Sequence, residues 1–176
     1  MILDLFLGLI AQHKNISQYK LTPLKRIVIG GIIAPHGITD IFHKNFSDIV
    51  LYHVYLIICC LIDYMLPLKY NLSILTILSI RHISDDIGYF GSIILHFISI
   101  FALDVNLGFD VFFIYMTFIH VPIHYYKNLK TKQDFLITLA FSLILLFGSL
   151  NEKIFLFFAN ILPINGIIWN HIIFSL

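Results

Sequence analysis

Polar joints divide the chain into eight apolar stretches, at about 2–12, 27–43, 49–66, 72–84, 87–103, 108–124, 134–150 and 154–175. A membrane-crossing helix needs about 20 residues, with a usual range near 17–25, and the middle and late stretches mostly reach the low end of that range. None shows the in–out alternation of a lipid-facing barrel strand. Backbone groups in lipid must be satisfied within each segment, so the pattern predicts helices. Ser47-Asp48 and Asn71-Leu72-Ser73 are expected to cap helix starts, and Pro67 to end the third stretch. Asn106-Leu107-Gly108 reads as a tight joint. Pro163-Ile164-Asn165-Gly166 interrupts the last stretch, either as a broken helix or as two short pieces. The expected fold is all-α: a polytopic membrane bundle of about six to eight helices in one domain, 1–176. The first and fourth stretches are short enough to be interfacial or re-entrant.

Composition supports lipid as the solvent. Charged residues make up 12% of the chain and hydrophobic ones 59%, with a mean hydropathy of +0.92; a soluble domain carries about a quarter charged residues. The formal net charge of +1 gives no basic patch for a nucleic acid. Met1-Ile2-Leu3-Asp4 lacks the positive flank of a signal peptide. Cys59 and Cys60 are adjacent in an apolar run and read as small hydrophobes. Two joints are basic: Lys14 to Arg26, with Lys20 and Lys25 between them, and Lys127 with Lys130 and Lys132. The positive-inside rule puts both on the cytoplasmic face of a cell (inner) membrane. Five apolar stretches lie between them, so the same-face placement predicts that 72–84 does not cross fully.

The informative residues are polar ones where lipid is costly. The chain has nine histidines. His36, Asp40 and His43 are spaced to share one helix face, as are His82 and Asp86, and His120 and His124 across Pro122. His96 falls mid-stretch, and His53 and His171 lie nearer segment ends, where an interfacial role serves equally; His13 reads as surface. Neutral imidazoles converging in a bundle suit Fe, Zn or Cu, each ring giving one nitrogen to the ion and the other to an acceptor. Asp40, Asp85 and Asp86 are candidate acceptors, and a site of two histidines and a carboxylate on iron is a further option. Asp4 and Asp63 read as interfacial. Gly30, Gly31 and Gly37 allow close helix approach, and Pro35 frees a backbone carbonyl just before His36. Tyr89, Tyr115, Phe118, Tyr125 and Tyr126 are candidates to line an apolar tunnel; the last two also fit an interfacial belt.

Pro35-His36-Gly37-Ile38-Thr39-Asp40, followed by His43, resembles the Pro-His-Gly-x-x-Asp signature of the Brp/Blh-type β-carotene 15,15′-dioxygenases. His82-Ile83-Ser84-Asp85-Asp86 is similar to that family's His-Phe-Gly stretch with a following acid, with Ile83 and Ser84 in place of Phe-Gly. His120-Val121-Pro122-Ile123-His124 resembles its late histidine element. The likeness runs in order over roughly 27–126, in a chain shorter than the family's usual length. It implies a multi-helix membrane enzyme that uses Fe(2+) and O2 to split the central double bond of a carotenoid, β-carotene, into retinal, with a functional link to a retinal-binding rhodopsin. It places the metal ligands at His36, His96, His120 and His124. Asp40, His43, His82 and Asp86 then serve as alternative ligands or as partners of the imidazoles. No protein residue is assigned as a general acid or base.

Other readings of the same residues are a small transporter or ion- and proton-handling protein with a His/Asp relay, and a bundle whose histidines only bridge helices. A di-iron desaturase shares the His-x-x-x-His element but needs an adjacent histidine pair, which the chain lacks.

Overall fold

The structure is a computed structural model that describes residues 2–11, 21–102 and 104–175; His13, Lys14 and Lys20 lie outside the described residues. Among the described residues the helices form eight rods: α1 (Ile2–Ala11), α2 (23–41), α3 (Phe46–Met65), α4 (Leu68–Phe101), α5 (105–128), α6 (Lys132–Leu150), α7 (Glu152–Ile161) and α8 (Ile164–Ser175). Four of them, at Phe46–Met65, Leu68–Phe101, Asn106–Asn128 and Lys132–Leu150, are long and apolar enough to cross a membrane.

The burial pattern is inverted relative to a soluble protein. Asp4, Asp40, Asp63, Asp134 and six histidines are buried, while Phe90, Phe118, Ile144 and Phe147 stand outward. Water would reward the opposite arrangement; lipid rewards this one. The chain is a multi-pass integral membrane protein.

Caps come from different residues than the expected ones. Asn45, not Ser47-Asp48, caps α3 by accepting from the Asp48 N–H at 2.9 Å. Asp104 caps α5 in the same way through the Asn106 N–H. Asn71 lies inside α4 and donates instead to the Asp63 carboxylate at 2.5 Å. Asp63, expected at the interface, is buried: it also accepts from the Gly166 N–H at 2.9 Å and from Asn165 at 3.1 Å, tying α3 to the start of α8. Asp4 is buried too and accepts from the Tyr89 hydroxyl. Asn151 and Pro163 split the last expected stretch into α7 and α8.

The stretches 72–84 and 87–103 belong to one element, α4, which turns back on itself at Gly88. Gly88 has φ +75° and ψ 158°, a conformation open to glycine and strained for other residues. The Ser92 hydroxyl reaches the Ile80 carbonyl at 2.8 Å. Twelve residues of straight helix would hold those groups about 18 Å apart, so the limbs 68–87 and 89–101 lie alongside one another. Ile80, Ile93 and Ile100 from the two limbs pack with Leu7 and Ala11 of α1.

This arrangement overturns the same-face placement of the basic joints. The first limb of α4 is about 30 Å long at 1.5 Å per residue, long enough to cross a bilayer. Lys25 pairs with Asp110 at the start of α5, and Arg26 lies 3.3 Å from Glu152, beyond the end of α6. Lys127 stands at the far end of α5, about 26 Å away along the axis, and Lys132 starts α6. The two basic joints therefore sit at opposite ends of the bundle.

Candidate metal centre

Two helices that carry the key histidines are built alike. In α2 a π-helical turn, Ile29–Ile33, precedes Pro35; in α5 a π-helical turn, Met116–His120, precedes Pro122. Proline lacks an N–H and its ring clashes with the carbonyl four residues back. Those carbonyls belong to Gly31 and Phe118, both inside the widened turns, so the π geometry relieves the clash without breaking the rod. Such turns recur at functional sites. Here they aim His36 on α2, and His120 and His124 on α5, into the bundle. Gly30 allows α2 to approach closely, because a β-carbon there would fall 1.9 Å from the Ser149 hydroxyl of α6.

His82 from the first limb of α4 and His171 from α8 join them. His82, His120, His124 and His171 are all buried, and their ligand atoms lie within 4.8 Å of one another. His36 packs edge-on against His120, His124 and His171. The cluster is able to coordinate a metal ion.

Oxygen acceptors orient the rings. The Asp86 carboxylate takes the His120 Nδ1–H at 2.6 Å and the Tyr115 hydroxyl at 2.9 Å. Asp40 takes the His171 Nδ1–H and lies 3.9 Å from His124 Nδ1. His36 Nδ1 donates to the Ile33 carbonyl. A carbonyl and a carboxylate only accept, so His36 and His171 both carry their proton on Nδ1. Their Nε2 atoms nonetheless face each other at 3.0 Å. In neutral rings these are two lone pairs in contact, and a cation between them removes the repulsion. His82 and His120 approach in the same way, Nε2 to Nε2 at 3.2 Å. Two nitrogens bound to one tetrahedral ion at about 2.0 Å stand about 3.3 Å apart, close to both separations.

A cavity of about 160 Å³ opens beside the cluster at the Lys127 end of the bundle, lined by Asp40, His82, Asp86 and His124, with Lys44, Asp85 and Lys127 among its other residues. Lys127 stands 4.0 Å from Asp86.

No protein-family model matches the chain, and neither a curated protein nor a solved structure matches it.

The structure brings three of the four expected ligands, His36, His120 and His124, to one place, together with His82 and His171. It leaves His96 elsewhere. That ring packs on Phe112, and its Nδ1 donates to the Ser92 carbonyl at 2.8 Å. The second limb of α4, which carries His96, runs back from Gly88 and away from the cluster. His43 also stands apart: its Nε2 lies 2.9 Å from Asp134, at the start of α6, and its φ is +61°. Asp40 accepts from His171 and Asp86 from His120, while Asp85 lines the cavity. His171 carried little signal in the sequence, since no acid or second histidine stands three or four residues from it; its carboxylate partner lies 131 residues away. Of the aromatic residues, Tyr89 donates to Asp4, Tyr115 to Asp86 and Tyr125 to the Ile32 carbonyl, Tyr125 also lines an apolar groove with Gly31 and Leu139, and Phe118 and Tyr126 face outward.

Proposed function

We propose that this membrane protein binds one divalent transition-metal ion in its histidine cluster and handles that ion, together with protons, at the Lys127 face of the bilayer. The observation that carries the reading is the contact of two Nε2 lone pairs, from His36 and His171, within a buried cluster backed by Asp40 and Asp86. Imidazole nitrogen without thiolate suits Fe, Zn, Cu or Ni, and carboxylates behind the rings raise ligand basicity. The adjoining cavity is lined largely by charged and polar side chains, which fits entry of a hydrated ion or a proton better than entry of a hydrocarbon.

The test is metal analysis of the purified protein in detergent after loading with Fe(II) or Zn(II). One ion per chain is expected, with loss on His120→Ala or His171→Ala. Absence of bound metal in folded protein would remove the reading.

A second reading, an iron-dependent carotenoid dioxygenase, is favoured by a specific observation. Residues from all three motifs that carry the family resemblance, His36 with Asp40, His82 with Asp86, and His120 with His124, meet at the cluster. Under this reading Fe(2+) would supply the O2 chemistry, which side chains alone cannot. β-Carotene would enter from lipid, and an apolar groove of about 150 Å³ between Gly31, Tyr125 and Leu139 is the closest match to such a path. Expression in β-carotene-accumulating cells decides it: retinal formed by the wild type and lost in His36→Ala supports cleavage, while iron-loaded protein that leaves the carotenoid intact ends this reading and spares the first.

A further inference from the structure

We infer that the five histidines form a square pyramid around a single ion, with His124 at the apex. The inference rests on the metal reading above. With metal–nitrogen bonds of about 2.1 Å, ring centroids lie about 3.2 Å from the ion, so rings at right angles stand about 4.5 Å apart and opposed rings about 6.4 Å.

Taken in the order His36, His171, His82, His120 and back to His36, the centroid spacings are 4.6, 5.0, 4.7 and 5.4 Å. Across that square, His120 and His171 are 6.3 Å apart, the opposed value. The second opposed pair, His36 and His82, is the wide one: the ligand atoms within 4.8 Å of one another are those of His82, His120, His124 and His171, so His36 has to move inward to complete the base. His124 sits over all four corners, at 5.4 Å from His36, 5.4 Å from His171, 5.2 Å from His82 and 4.4 Å from His120. The Nε2 separations of 3.0 and 3.2 Å fall on two edges of the base, where bonds of about 2.1 Å at right angles require about 3.0 Å. The wider spacings need to contract by under about 1 Å to meet that ideal. A tetrahedron has no opposed pair and no place for a fifth ring.

Such a shell has two consequences. It favours ions that accept five or six ligands, such as Fe(II), Mn(II) or Co(II), over ions that settle into a tetrahedron. Its five ligands are neutral, so the charge of the ion is balanced one layer out, by Asp40 and Asp86.

The test uses the full-length protein in detergent, loaded with Co(II). The expected visible spectrum is the weak set of bands of five- or six-coordinate cobalt. His36→Ala should weaken Co(II) binding roughly tenfold or more, and His96→Ala, outside the cluster, should leave it unchanged. Intense tetrahedral cobalt bands, or full affinity in folded His36→Ala, would overturn the pyramid while leaving metal binding intact. Failure to bind any cobalt would count against the metal reading itself.

Discussion

Asp86 shows how one carboxylate sets a histidine's role. It accepts from His120 Nδ1 and from the Tyr115 hydroxyl, and Lys127 approaches it from the cavity side. The charge behind the ring fixes the tautomer and leaves Nε2 as an electron-pair donor. Asp86→Asn keeps the shape and removes the charge, so metal affinity should fall roughly 10–100-fold; Tyr115→Phe should cost less, since His120 retains its acceptor. A competition titration against a chromophoric chelator measures both, and an unchanged affinity in Asp86→Asn would show that the carboxylate is not coupled to the site. At this scale the sequence was partly legible. Helical spacing on single segments identified His36 with Asp40 and His120 with His124 as residues facing one way. Spacing carries no information on partners from distant segments. So Asp63, whose partners include Gly166, read as interfacial, and His171, whose acceptor is Asp40, gave no stronger signal than His53.

Among the elements, the two rods with π turns before proline hold three of the five clustered histidines. A π turn inserts one residue into the helix and so rotates everything after it by about 100°. In Pro122→Ala the reason for the widened turn is gone, and the segment is free to relax to an α-helix. His124 would then turn away from His120's present partners. Metal affinity is expected to drop by more than in Asp86→Asn, with helix content by circular dichroism unchanged. Retained affinity would mean that packing, and not proline, holds the turn. The prolines were visible in the sequence, and Pro35 was read as freeing a carbonyl, which by position is that of Gly31; the Ile33 carbonyl that accepts from His36 is a different one. The turn-back at Gly88 was half visible. Separate stretches at 72–84 and 87–103 mark the two limbs, but the charged residues Arg81, Asp85 and Asp86 made the first limb look too short to cross. They sit instead at and near its final turn, where the chain reaches the polar end of the bundle.

For the whole molecule, α2, α3, the two limbs of α4, and α5 run five times between the ends of the bundle, so Lys25 and Lys127 stand at its opposite ends, while four helices are long and apolar enough to cross a membrane. Hydropathy and charge fix which segments prefer lipid, but the positive-inside rule orients a protein only by excess charge near the segment ends. Here Lys25 and Arg26 are paired with Asp110 and Glu152, which weakens that excess on their side. A Cys59→Ser/Cys60→Ser background carrying Asp104→Cys or Lys130→Cys reports the topology directly. In sealed vesicles an impermeant maleimide should label the two cysteines from opposite sides, and labelling from one side would refute the five-passage fold.

The same arrangement sets what the metal does for stability. Its nitrogens come from α2, α4, α5 and α8, which meet at the cluster through Asp40, Asp86 and the rings, beside buried Ile83, Val121 and Ile172. Without an ion, the facing Nε2 atoms of His36 and His171 repel. An ion that binds only the folded state adds about 2.7 kcal/mol when present at 100 times its dissociation constant. Removing it with a chelator should therefore lower the unfolding midpoint in detergent, and restoring it should raise the midpoint with the logarithm of free metal. His96→Ala should keep this dependence and His171→Ala should lose it. A midpoint indifferent to metal in the wild type would mean that the histidines are held by their aspartates alone, and that the cluster contributes packing where the geometry calls for an ion.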